Sequence, residues 1–144
     1  MITFLLSVDG SKHALVATRK LIAHASWLKH PLSVELVTVQ GYVPVVKGMS
    51  RAVIKQADVE RHFRNEAEKA LAPSKRLLQK ARIHYTAHIL TGEVAPSLVK
   101  HAHDNNCQLI YMGTRGLTAL SGLVLGSVAV RVLHLAKVPV VLVK

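Results

Sequence analysis

Four short apolar runs and one alternating run, set between segments of helical spacing, frame this chain. Residues 2–8 are almost continuously apolar, the pattern of a strand buried on both faces. Asp9-Gly10-Ser11 breaks the run, and Ser11 is placed to cap a helix ending near Trp27. Ala14, Thr18, Leu21, Ile22, Ala25 and Leu28 share one face of that helix, and Pro31 stops it. Residues 32–39 form the second apolar run, with Glu35 its one charge. Residues 40–57 hold Gly41, Pro44, Gly48 and Ser50; a connection of that length in a small domain is expected to be a lid or a mobile segment.

Residues 59–80 are strongly helical, with Val59, Phe63, Ala67, Ala70, Leu71, Leu77, Leu78 and Ala81 as the apolar stripe and Pro73 predicting a kink or a break. Ile83, Tyr85, Ala87 and Ile89 then alternate with His84, Thr86 and His88, which reads as a half-exposed strand at a sheet edge. Thr91-Gly92 makes a turn. A helix over 94–103, a strand over 108–112, a helix over 128–136 and a last strand over 138–143 complete the chain.

Strands alternating with helices imply a parallel sheet covered on both faces, hence three layers. Five strands fit the doubly wound order 3-2-1-4-5. That order puts the alternating strand at one edge and the uncharged 138–143 strand at the other. In such a sheet, ligands bind beyond the carboxyl ends of the strands where the order reverses, here between strands 1 and 4. Asp9-Gly10-Ser11 and Gly113-Thr114-Arg115-Gly116 meet there, with Val39 and Gln40 alongside.

The second of these segments runs Gly113-Thr114-Arg115-Gly116, nine further residues, then Gly126-Ser127 at the start of a helix. Glycine permits both positive φ and close approach of backbone to a ligand. A helix start offers unpaired N–H groups and the positive end of a dipole, which suits phosphate. The same glycines also serve ordinary turns. Asp9 is suited to accept ribose hydroxyls or hold a metal, and equally to cap the first helix with Ser11.

With 144 residues the chain makes a single domain, 1–144, with half its residues hydrophobic. No apolar run approaches a membrane span, and the N-terminus reads as a first strand rather than a signal peptide; a cytoplasmic location is expected. The single cysteine, Cys107, opens an apolar run and is expected to be a buried packing thiol. The net charge of +11 attracts anions in general, but the cations interleave with apolar residues at helical spacing, as on solvated helix faces. Aromatic residues are too few for the stacking platforms of single-strand readers. The nine histidines read as solvated surface groups: His84 and His88 are too far apart along a strand, and His101 and His103 diverge on a helix. No protein metal site is therefore expected. P-loop and dinucleotide-binding glycine patterns are absent.

The arrangement resembles the universal stress protein family along essentially the whole chain. The residues that carry the resemblance are Val8-Asp9-Gly10-Ser11, Gly92, Met112-Gly113-Thr114-Arg115-Gly116, Gly126-Ser127-Val128 and the closing Val138-Pro139-Val140-Val141-Leu142-Val143. The Gly-x-x-Gly-x9-Gly-Ser/Thr spacing marks the family's ATP-binding members. The resemblance implies the adenine nucleotide alpha hydrolase-like fold. It also implies ATP as cofactor, with Mg²⁺ or Mn²⁺ as candidate companion ions. Asp9 and the Val39 backbone would meet the nucleoside, with Met112 against the base. Gly113, Arg115, Gly116, Gly126, Ser127 and Val128 would surround ribose and phosphates. A homodimer is implied too, and the uncharged 138–143 edge is its expected seam. A proline common two residues after the strand-3 glycine is missing; Val94 and Ala95 follow Glu93, with Pro96 next. Asp9 and Glu93 are the only acids after strand ends near the presumed site, a poor set for fast phosphoryl transfer. The reading is thus an ATP-binding, stress-responsive module with slow or no hydrolysis. Its competitors are a weak ATPase and a basic domain binding RNA or another polyanion.

Overall fold

The first apolar run becomes β1 (Ile2–Ser7), the central strand of a five-stranded parallel sheet. The computed structural model describes residues 1–41, 56–116, 122 and 125–144; of the predicted lid or mobile segment, 40–57, residues 42–55 lie outside them. In chain order the other elements are α1 (Lys12–Ala25), β2 (Leu32–Gln40), α2 (Gln56–Lys80), β3 (His84–Thr91), α3 (Val94–Asp104), β4 (Leu109–Gly113), α4 (Ser127–Leu135) and β5 (Val140–Val143). The sheet order is β3-β2-β1-β4-β5, as the pattern predicts. Phe4 pairs with both Val34 and Leu109, so β1 is hydrogen-bonded on each side.

Side chains of the sheet alternate between two cores. Phe4 and Leu6 join Val34, Leu36, Ala17, Leu21, Leu71 and Leu78 under α1 and α2. Leu5 joins Val37, Leu98, Ala102, Ile110, Met112, Ala129 and Val132 under α3 and α4. This alternation is why the buried strands read as unbroken apolar runs: both faces are covered. β3 lies at an edge as expected and alternates exposed and partly buried positions from His84 to Ala87; the rhythm then shifts, with His88 partly buried and Ile89 exposed.

α1 starts where predicted: Ser11 is the N-cap, and its Oγ accepts the Ala14 N–H at 3.2 Å. The expected break at Pro73 does not occur. α2 runs unbroken through it, held by Leu71, Ser74 and Leu78 buried on its inner face and by the Ser74 hydroxyl at 2.8 Å from that of Thr18 on α1. Packing of the inner stripe outweighs the one backbone hydrogen bond that proline deletes. Ala81 falls just beyond the helix and is exposed.

The basic residues of α1 and α2 are exposed or only partly buried, and three of those of α2 pair with its own acids: Arg61 with Asp58, Lys69 with Glu66, Lys75 with Glu68. Much of the positive charge thus lies on solvated helix faces. No helix among the described residues is long and apolar enough to cross a membrane.

Cys107 is buried in the core beneath α3. Burial, reinforced by the charge of Glu35, pushes its thiol from 9.0 up to about 11. An acid raised on folding contributes stability that is fully present while the unfolded thiol stays protonated. That contribution is lost as pH climbs from 9.0 towards about 11. At about pH 8 a thiol reagent should therefore label Cys107 only as fast as the protein opens; rapid stoichiometric labelling of the native protein would contradict the burial.

Candidate functional site

Two chain segments about a hundred residues apart are brought together at the carboxyl ends of β1 and β4. Val8 extends β1 by donating its N–H to the Val37 carbonyl at 2.9 Å. Gly10 then takes φ +83°, a value that glycine adopts without strain, and turns the chain into α1. Asp9 Oδ1 accepts the Ser11 N–H at 2.9 Å. The capping role of Asp9 is therefore real, and one carboxylate oxygen is engaged in it.

The end of β4 lies against the start of α1. A Cβ on Gly113 would stand 2.9 Å from His13 Cβ and 3.0 Å from its carbonyl carbon. A Cβ on Gly116 would stand 2.5 Å from Asp9 Oδ2. The loop leaves β4 with the Thr114 N–H on the Val143 carbonyl at 3.0 Å, and returns with the Gly126 N–H on the Thr114 carbonyl at 2.6 Å. Gly113, Gly116 and Gly126 all lie outside the positive-φ region. Of the two uses of glycine, close approach is the one these positions need.

Gly126 is the N-cap of α4, and no side chain caps that helix. Its first turn also carries no acidic residue. The amides of Ser127 and Val128 thus sit at an uncapped positive helix end. Among the described residues, two buried polar atoms beside it have no hydrogen-bond partner: Thr114 Oγ1 and Arg115 Nε. Buried polar groups are ordinarily paired, so these two and the open helix start gather unsatisfied polar groups at the loop that follows β4.

Val39 and Met112 flank β1 on either side, near the ends of β2 and β4. Their side chains pack into the core under α3 and α4, as does that of Val128. Only their backbones are left to face the β1–β4 rim, whereas Ser127 is exposed. All eight acidic residues are described, and Asp9 is the one at the β1–β4 rim. Glu93, after the edge strand β3, pairs with Arg131 at 2.9 Å.

The sequence profile of the Universal stress protein family matches residues 2–144. The chain belongs to this family. A universal stress protein of Thermus aquaticus is 35% identical over 142 residues, covering 99% of this chain and 98% of the relative. Among solved structures, the hypothetical protein MJ0577 superposes with a TM-score of 0.78 at 25% identity, over 99% of this chain and 95% of the other. A universal stress protein of Archaeoglobus fulgidus, solved in complex with dAMP, superposes with a TM-score of 0.67 at 23% identity, over 100% and 98%.

One group of residues departs from the surface reading of the histidines. His88 of β3 and His101 of α3 converge on Glu35 of β2, and all three are only partly exposed. The available signal was Glu35 itself, a lone carboxylate in a buried strand, which requires partners. Spacing could not name them, because they come from an edge strand and a helix far along the chain.

Proposed function

We propose that this universal stress protein binds ATP at the carboxyl ends of β1 and β4 and acts as a nucleotide-responsive stress module. The observation that carries the reading is the fit of Gly116 against Asp9, whose Oδ2 lies where a Cβ would stand, while the uncapped start of α4 closes the same loop through the Gly126–Thr114 hydrogen bond. The residues present fit the nucleotide. Asp9 at the end of β1 would accept from ribose hydroxyls, Val39 and Met112 would border the base, and Gly113, Arg115 and Gly116 would line the path to the phosphates. Ser127 and Val128 would present amides to phosphate oxygens. The dAMP bound by the Archaeoglobus fulgidus protein of the same fold supports an adenine nucleotide as ligand. Titration calorimetry with ATP and AMP tests the proposal; absence of binding to either would overturn it.

Hydrolysis is expected to be slow or absent. Phosphoryl transfer needs placed metal ligands and a group that orients water. Asp9 already holds the Ser11 amide, and Glu93 is committed to Arg131. Mg²⁺ or Mn²⁺ would then be held chiefly by the nucleotide's own phosphates. Turnover should fall well below the ordinary enzyme median of about 10 per second. Phosphate release measured with each ion checks this. Brisk metal-dependent turnover that disappears in Asp9→Ala would make the protein an ATPase.

The proposal includes a cytoplasmic homodimer joined along β5. The carbonyls of Pro139 and Val143 face β4, so by alternation the N–H and C=O groups of Val140 and Leu142 face outward. α4, which leads into β5, exposes Val130, Leu133 and Leu135. An apolar edge next to exposed apolar side chains is seldom left open, and a second copy about a two-fold axis would cover both.

A further inference from the structure

The histidine–carboxylate cluster lies away from the nucleotide cradle and does not depend on it. Glu35 precedes Val39 by four residues on β2, about 13 Å at a strand rise of about 3.3 Å. On β2, Val34 and Leu36 face the α1–α2 core and Val37 the other. Glu35 therefore points, with Val37, towards α3. Val37 pairs with His88 across the β2–β3 ladder, which sets the His88 ring diagonally beside Glu35. His101 reaches the same point from the overlying helix.

Both rings bring Nε2 to one oxygen. His88 Nε2 is 2.7 Å and His101 Nε2 3.0 Å from Glu35 Oε2, and the three candidate ligand atoms lie within 4.8 Å of one another. The ring centroids are 4.5 Å apart with planes inclined at 57°. His101 makes a hydrogen bond to Oε2. His88 Nε2 does not: it is buried and without a hydrogen-bond partner despite its 2.7 Å approach, so its in-plane direction misses the oxygen. A lone ion pair needs one imidazolium and accounts for one ring. It leaves the second nitrogen crowded against an oxygen it cannot bond.

We infer that Glu35, His88 and His101 form a binding site for a divalent transition-metal ion of the Zn²⁺ class. One cation accepts lone pairs from both nitrogens and the carboxylate, and so satisfies the three atoms together. Zinc takes imidazole and carboxylate ligands at about 2.0–2.2 Å in a tetrahedron, which sets ligand atoms roughly 3.4 Å apart; the two N–O spacings, 2.7 and 3.0 Å, reach that by a small outward shift of both rings. Two imidazoles disfavour Mg²⁺ and Ca²⁺, which take oxygen ligands. Three protein ligands leave a fourth position for water or a further donor. The ligands come from β2, β3 and α3, so the ion would pin the helix to the edge of the sheet.

The test is calorimetric titration of the untagged full chain with ZnCl₂, with the Co²⁺ absorption spectrum reporting coordination geometry. One equivalent of Zn²⁺ is expected to bind, with affinity reduced at least tenfold in His88→Ala, His101→Ala and Glu35→Gln, and unchanged in His103→Ala, whose ring is exposed beside Asp104. Zn²⁺ should raise the melting temperature of the wild type and of His103→Ala, and not of the other three. Should a cluster variant fail to fold, zinc-edge anomalous scattering from wild-type crystals soaked in ZnCl₂ decides. Density among the three side chains supports the site; zinc only elsewhere overturns it. Wild type without binding at tens of micromolar, or cluster variants with wild-type affinity, would equally overturn it.

Discussion

Gly126→Val is expected to leave the fold standing and to weaken ATP binding by about a hundredfold, the loss of one or two charge-assisted hydrogen bonds to phosphate. Gly126 has φ −77° and ψ 161°, extended values open to any residue. A Cβ there would meet the Thr114 carbonyl oxygen at 3.4 Å and Arg115 Cα at 3.5 Å, ordinary contact distances. Its γ-methyl groups would instead occupy the approach to the Ser127 and Val128 amides. Gly116→Val should have a similar effect by another route. Its Cβ would fall 2.5 Å from Asp9 Oδ2, forcing the carboxylate out of the position where ribose would meet it. Gly113 is a poor choice for such a test, because its added Cβ would press on His13 backbone atoms at 3.0 and 3.1 Å, and the damage would be to the fold. Calorimetry on the two folded variants checks the expectation; unchanged ATP affinity in both would show that the nucleotide sits elsewhere.

The homodimer should dissociate at least about tenfold more readily in Val140→Pro and in Leu133→Lys, since a two-fold axis counts each substitution twice. Proline at 140 deletes an outward N–H of β5 while keeping an apolar side chain, and it leaves the bonds to β4 through Pro139 and Val143 intact. Lysine at 133 replaces an exposed leucine of α4. Charges at Val141 or Leu142 would be harder to interpret, because those side chains pack into the two cores. Light scattering across a dilution series gives the answer. A wild type that is monomeric at micromolar concentration, or a dimer indifferent to both substitutions, would mean that the β5 edge is covered in some other way.

Each strand was legible in the residues to within about two positions, because burial on both faces writes an apolar run that needs no tertiary knowledge to read. The half-polar rhythm of 83–89 marked β3 as an edge, which agreed with the doubly wound order 3-2-1-4-5 expected of five strands alternating with helices. The loop motif and Asp9 were equally visible, since ligand sites in this architecture cluster at strand ends. The break that Pro73 offered does not occur, because local propensity knows nothing of Leu71, Ser74 and Leu78 packed along the inner face of α2. Two matters needed the folded chain. How near Gly116 comes to Asp9 is set by β1 and β4 lying side by side, a distance that no sequence pattern records. His88 and His101 looked solvated because neither has a ligand-spaced neighbour in sequence; Glu35 becomes their common neighbour only when β3 docks beside β2 and α3 lies across both. Hydrophobic periodicity records which side of an element is buried, whereas the meeting of polar groups from separate elements is a property of their packing.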